Sequence, residues 1–134
     1  METEQLRALI ARHDAGWNAQ DLDEIMACYS GDIIFVNHNA GETATGADAV
    51  RAHLAKIFAG WPDLRFSGRR LYVSTEFAVS EWTATATHAD GRKLQWDGVD
   101  VFPFSGGLIA RKDVYTTAHA ARVRGRAAPG RRRS

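Results

Sequence analysis

Hydrophobic periodicity changes once along this chain, and that change decides the fold class. Through about Phe58 helical spacing of the apolar residues dominates, whereas from Leu64 onward they alternate. Leu6, Leu9, Ile10, His13 and Trp17 form one stripe, which predicts an amphipathic helix ending near Asn18. Asp21, an N-cap residue with Glu24 three positions on, opens a short helix that buries Leu22, Ile25, Met26 and Tyr29. A helical hairpin follows from the two. Ile33 to Asn37 reads as a short strand and Gly41 to Gly46 as a loop. A third helix, Ala47 to Phe58, presents Val50, Leu54, Ile57 and Phe58, and Gly60 and Pro62 end it. Turn signals at Ser74 to Glu76, Ala89 to Gly91 and Ser105 to Gly107 then punctuate an antiparallel meander of three or four long strands. Helices first and paired strands afterwards make an α+β chain.

Length allows one such unit, because 134 residues correspond to a single domain that can bury its own core. Residues 1–121 form the body. Residues 122–134 carry six arginines and no acid, leaving the body with 11 basic residues against 16 acids, a net charge of −5. The tail is expected to be disordered and solvated, since it lacks the aromatic residues with which nucleic-acid-binding segments stack on bases. No nucleic-acid partner is expected. Cys28 has no second cysteine to pair with, and no charged start leads into an apolar leader, so a reducing, cytoplasmic setting is expected. No apolar run reaches the roughly 18 to 20 residues of a membrane-spanning helix, so no membrane association is expected either.

The strand faces locate the chemistry. From Ala78 to His88 one face reads Ala78, Ser80, Trp82, Ala84, Ala86 and His88, small apart from Trp82 and His88. Two readings stay open: the wall of a cavity, or close packing against a helix. From Leu94 to Phe104 the apolar face contains Asp100 among Leu94, Trp96, Gly98, Phe102 and Phe104. A carboxyl there loses hydration and is held protonated toward neutral pH unless a cation compensates. If Gly106 and Gly107 make a two-residue turn, Ser105 pairs with Leu108 and Asp100 falls opposite Asp113, with Arg111 as the cation between the two acids. A one-residue slip would undo that pairing. Five histidines include no close pair with metal-site spacing, and no phosphate-binding loop is present, so neither a metal nor another cofactor is expected. Cys28 reads as a buried small hydrophobe, and His53 and His119 as surface or packing residues.

The order of elements resembles the nuclear transport factor 2-like superfamily over about residues 3 to 120. The segments that carry the resemblance are WNAQDLD at residues 17–23, WPDLRF at 61–66, EWTATATH at 81–88 and DVFPFSGGLI at 100–109. Within that superfamily the chain is most similar to its SnoaL-like and ketosteroid-isomerase-like branch. The resemblance implies a conical barrel, with a curved antiparallel sheet wrapped around the helical hairpin and the third helix. Against ketosteroid isomerases, Asp100 matches the protonated acid of the oxyanion hole, His13 its tyrosine, and Asn37 the proton-shuttling aspartate. Asparagine cannot abstract a proton, which argues against that isomerisation here, and strand alternation turns the neighbouring His38 away. Against SnoaL-type cyclases, Asp100 and His88 match the acid/base aspartate and a pocket histidine. Against epoxide hydrolases, Phe35 and Asn37 match half of a water-orienting pair and Asp100 and Asp113 the two acids, while Gly98 stands where the arginine would be.

Two classes of function remain. One is a cofactor-independent acid/base enzyme, an isomerase, cyclase or hydrolase acting on a small apolar carbonyl or cyclic compound. Asp100, His88, Asn37 and Asp113 would be its catalytic residues, and His13, Trp17, Tyr29, Trp82, Trp96 and Phe102 would bind the substrate. The other is a non-catalytic ligand-binding or dimerisation module. Under either, the outer sheet face with Thr83, Thr85 and Thr87 is expected to pair two copies into a homodimer.

Overall fold

The computed structural model describes residues 2–121, so the basic tail at 122–134 lies outside the described residues. Helix α1 (Thr3–Ala19) and the short α2 (Leu22–Met26) form the expected hairpin, and α3 (Ala47–Gly60) follows the first strands. Leu6, Ile10, His13 and Trp17 on α1, Ile25 on α2, and Val50, Leu54 and Phe58 on α3 face the core. Burying each of the larger apolar side chains is worth about 1.5–3 kcal/mol. The Asp21 carboxylate accepts from the Glu24 backbone N–H at 3.2 Å, confirming the cap. No helix among the described residues is long and apolar enough to cross a membrane.

Strands β1 (Tyr29–Asn37), β2 (Glu42–Thr45), β3 (Arg65–Val73), β4 (Phe77–Thr87), β5 (Lys93–Ser105), β6 (Leu108–Thr116) and the two-residue β7 (Ala120–Ala121) form one sheet. Its order is β2-β1-β6-β5-β4-β3, with β7 paired to β5. The meander from β3 to β6 is antiparallel, as the alternation predicts, and β1 joins it in parallel beside β6, making the sheet mixed. The first strand is longer than its β-branched centre, Ile33 to Asn37, suggested. The segment expected as loop holds β2, because its backbone pairs antiparallel with β1 from Ile34 to Asn37. The sheet curves around the helices without closing, giving a cone-like α+β fold.

Two sequence segments that stood out hold one corner together. The Asn18 side chain donates to the Phe66 carbonyl at 3.0 Å and accepts from the Phe66 N–H at 2.8 Å, as a strand partner would. Gln20 donates to the Trp61 carbonyl at 3.0 Å, and Asp63 accepts from the Thr87 N–H at 2.9 Å and hydroxyl at 2.6 Å. These bonds tie the end of α1 and the end of β4 to the start of β3.

Candidate active site

Alternation on β4 and β5 carries through to the structure without a break. Ala78, Ser80, Trp82, Ala84 and Ala86 point inward from β4, and Leu94, Trp96, Gly98, Asp100 and Phe102 from β5. Trp82 lies opposite Gly98, and its indole covers that glycine so closely that a Cβ at position 98 would overlap it. A larger residue at 98, such as the arginine of epoxide hydrolases, would have to displace Trp82.

Between β5 and β6 the register departs from expectation. The turn at Gly106 and Gly107 is the two-residue one, both glycines at positive φ, and Ser105 pairs with Leu108 and Phe104 with Ile109. Beyond that point β6 carries three residues, Ala110 to Lys112, against Phe102 and Pro103 on β5. This bulge moves the pairing by one, so Val101 faces Asp113 and Asp100 faces Val114. Asp113 therefore does not oppose Asp100. It lies on the outer face, accepting from Arg111 at 2.7 and 3.0 Å, with His38 Nε2 at 2.7 Å. Arg111 goes out with it, and Lys112 turns in.

Lys112 is the functional candidate that strand alternation alone misses. A strand that buries Ile109 by regular alternation also buries Arg111 and Asp113, yet Val114, an equally apolar residue, has the opposite parity. That conflict between Ile109 and Val114 is a sequence signal of a bulge. Both are buried in the structure, and Lys112 is buried with them. Its Nζ sits 3.7 Å above the Trp17 ring, with the Phe35 and Phe102 rings at 5.5 and 5.9 Å. Asp100 Oδ2 is 3.8 Å away, and Asp100 Oδ1 has no hydrogen-bond partner among the described residues.

Burial dominates the electrostatics of both groups. It lifts the Asp100 carboxyl from its ordinary 3.8 to about 6, although Lys112 pulls the other way. It lowers the Lys112 amine below its usual range, against the opposing pull of Asp100. For each member the loss of hydration outweighs the attraction of the partner.

A cavity of about 380 Å³ opens beside this pair, between α1, α3 and the inner faces of β1, β5 and β6. Trp17, Phe35, Phe66, Trp82 and Trp96 supply aromatic walls, and Asp100 and Lys112 the buried charged part of the lining. Exposed Glu42, Lys56 and Gly60 mark its opening, together with His119, whose ring stacks on Trp96 at 3.9 Å. Burial keeps the His119 imidazole below its ordinary pKa. A smaller chamber of about 140 Å³ lies beyond Trp17 and Trp82, lined also by His13, Asp14, Asn18 and Ser80. Asp100 and Lys112 border both.

The other expected site residues divide. Asn37 lines the main cavity, as do His53 and His119, which the sequence suggested were surface or packing residues. His88 does not reach it. Its ring sits at the β4–β5 turn, where Nδ1 accepts from the Asp90 N–H at 3.2 Å, because the inner face of β4 ends at Ala86 and the chain then turns. Ala78, Ala84 and Ala86 are fully buried and line neither chamber, so these positions are close-packed core, while Ser80 and Trp82 between them line the chambers. The main cavity accordingly lies toward β1 and β6, and the smaller chamber lies between β4 and α1 of the helical hairpin.

His13 borders only the smaller chamber, and Tyr29 and Phe102 stand behind the walls. Burial, reinforced by Lys112, lowers the His13 pKa to about 4, so its imidazole is neutral at neutral pH. Asp14 Oδ1 lies 2.9 Å from Nδ1 and the Tyr29 hydroxyl 2.9 Å from Nε2. Nδ1–H therefore donates to Asp14, and Nε2 accepts from Tyr29, which in turn accepts from the Trp17 indole at 3.4 Å. This network holds Trp17 beneath Lys112.

The family comparison adds to this geometry. The SnoaL-like domain family matches residues 10–112, spanning α1 to the inward lysine. No curated protein matches the sequence. Among solved structures, a nuclear transport factor 2-like protein of unknown function from Burkholderia pseudomallei superposes with a TM-score of 0.78 at 19% identity, over 87% of this chain and 92% of that one. A candidate SnoaL-like polyketide cyclase from Jannaschia gives a TM-score of 0.77 at 20% identity, over 85% and 86% of the two chains. A hypothetical protein from Catenulispora acidiphila with a ketosteroid-isomerase-like fold, solved with trimethylamine, gives 0.73 at 16% identity, over 80% and 83%. Fold and sequence family agree: the chain belongs to the SnoaL-like domain family, within the nuclear transport factor 2-like superfamily.

Proposed function

We propose that this protein is a cofactor-independent acid/base enzyme acting on a small, largely apolar carbonyl or cyclic compound. The observation that carries the reading is Asp100, a carboxyl buried on the wall of an aromatic cavity, with one oxygen unpartnered among the described residues and the other 3.8 Å from an ammonium group. A cavity of about 380 Å³ is in the range that takes a small organic ligand. A carboxyl with pKa near 6 both gives and takes a proton near neutral pH. Protonated, it donates to the carbonyl oxygen; ionised, it removes a proton from the adjacent carbon. Asn37, on the same wall, orients the substrate. The SnoaL-like and ketosteroid-isomerase-like fold supports this class of chemistry.

Exchange at carbon tests it. A panel of alicyclic and aryl ketones incubated in D2O is expected to include members whose α-protons exchange faster with the protein, followed by NMR, with a pH profile bending near 6. Asp100→Asn should abolish the gain. Undiminished exchange in that variant removes Asp100 from the mechanism. Binding detected by tryptophan fluorescence with no exchange in any member leaves a ligand carrier.

A homodimer is the second part of the proposal. The outer sheet face carries apolar residues on four strands, Tyr72, Val79 and Val101 in cross-strand register and Val99 opposite Tyr115, with Thr83 and Thr85 farther along β4. Tyr72 and Tyr115 are about half exposed, and a second copy of this face would cover both. Sedimentation should show a dimer that Val101→Glu converts to monomer.

A further inference from the structure

We propose that Lys112 is a Schiff-base lysine, its amine condensing with the substrate's carbonyl carbon while the Asp100 carboxyl, 3.8 Å away, moves the protons. The inference rests on the carbonyl substrate proposed above and adds a covalent intermediate to it. Geometry is its main support. Lys112 and Asp100 border both chambers, and Nζ packs over the Trp17 and Phe35 rings with the Asp100 carboxyl beside it. Nothing in a structural ion pair requires a cavity on each side.

An attacking amine must be neutral. The charged and titratable groups facing Lys112 are Asp100 from β5 and Asp14 and His13 from α1. The two carboxylates favour the ammonium, and burial, the largest influence, opposes it and prevails in direction. Transfer of one proton from Nζ to Asp100 leaves amine and carboxylic acid both uncharged, which a dry site favours. Desolvation of this kind activates lysine as a nucleophile.

The steps balance without oxidant, reductant or metal. The Nζ lone pair attacks the carbonyl carbon, the C=O π pair moves to oxygen, and Asp100 protonates that oxygen. The nitrogen then loses a proton to the Asp100 carboxylate, giving a carbinolamine. Asp100 returns a proton to the hydroxyl, which leaves as water as the nitrogen lone pair forms C=N. Asp14, a partly exposed residue bordering the smaller chamber, provides a polar route for that water. The resulting iminium lies over the Trp17 face that now holds the ammonium. Asp100, ionised, removes a proton from the α-carbon, and the enamine so formed attacks an electrophile in a ring closure or is reprotonated elsewhere in an isomerisation. Water hydrolyses the iminium and frees the amine.

The sequence makes the test legible, because the chain has three lysines and the other two, Lys56 and Lys93, are exposed. The full chain is incubated with benzaldehyde and cyanoborohydride near pH 7, then digested and mapped by mass spectrometry. Lys112 is expected to take the benzyl adduct at least about tenfold faster than Lys56 or Lys93. Labelling should saturate with aldehyde and be absent in Lys112→Met. Labelling of all three at similar rates, or of the exposed pair alone, overturns the inference in the wild-type protein whatever the variant does. Retention of ketone α-exchange in Lys112→Arg, which keeps a cation but no amine of this reach, overturns the covalent step and leaves Asp100's role standing. Absence of α-exchange in the wild type removes the acid/base reading itself.

Discussion

Two acid–base pairs lie back to back on the two faces of the sheet, one joining β5 to β6 inside and one within β6 outside. Inside, Lys112 and Asp100 stand 3.8 Å apart with no closer polar contact between them; outside, the next residue, Asp113, accepts from Arg111 at 2.7 and 3.0 Å. The inner carboxyl is raised to about 6 by burial. At the outer one burial is again the largest single influence and raises the pKa, but hydrogen bonds from Arg111 and His38 together outweigh it and the net direction is down. Opposite charge alone does not decide an acid's behaviour. Hydrogen-bond contact and access to water do, and a single extra residue on β6 decides which cation meets each acid.

The signs of their pH dependence are opposite. Because the folded pKa of Asp100 is raised, its contribution to stability is full below the ordinary value of 3.8 and is lost as pH rises through about 6. The folded pKa of Asp113 is depressed, so its contribution is present above the ordinary carboxyl range and is lost as pH falls through the depressed value.

Removing one charge from each pair exposes the contrast. Lys112→Met should cost about 3–5 kcal/mol at pH 8, where it strands the Asp100 carboxylate, and distinctly less at pH 5, where that carboxyl is protonated. Urea unfolding at the two pH values measures this, and an equal loss at both would mean that packing, not charge, is what the lysine supplies. Replacing both partners, Asp100→Leu with Lys112→Met, is expected to recover most of that loss or to exceed wild-type stability by about 1–4 kcal/mol. A double variant no better than Lys112→Met alone would show that the pair contributes more than its desolvation costs. In carbon-13 NMR, the Asp100 carboxyl should titrate near 6 in the wild type and higher in Lys112→Met, since Lys112 lowers it. A midpoint near 4 would place water at that carboxyl. The outer pair should respond least: Arg111→Ala is expected to cost about 1 kcal/mol or less, because the guanidinium is about two-fifths exposed. A loss as large as that of Lys112→Met would erase the distinction between the faces.

Much of this was legible along the chain, and the limits are instructive. Asp100 could be placed inside from alternation alone, because eleven paired positions between β4 and β5 run without interruption. His88 failed for a local reason: alternation extended past Thr87, where the strand had already given way to the turn that Asp90 closes. Ala84 and Ala86 are compatible with a cavity or with close packing, and only the position of the helices chose between them. His53 and His119 have no sequence pattern pointing inward. They reach the cavity because α3 lies over β1 and β2 and the segment after β6 crosses the opening.

The sequence by itself determined the helical hairpin, the inward faces of β4 and β5, the tight glycine turn and the burial of Asp100. Each of these follows from backbone periodicity and turn geometry, which neighbouring residues impose on one another. Tertiary structure decided which cation meets Asp100. Ile109 and Val114 both belong in the core but cannot share one face of an unbroken strand, so β6 bulges between them. That rotation turns Lys112 toward the cavity and Arg111 with Asp113 toward solvent, a choice made by packing across the whole sheet and not by any residue alone.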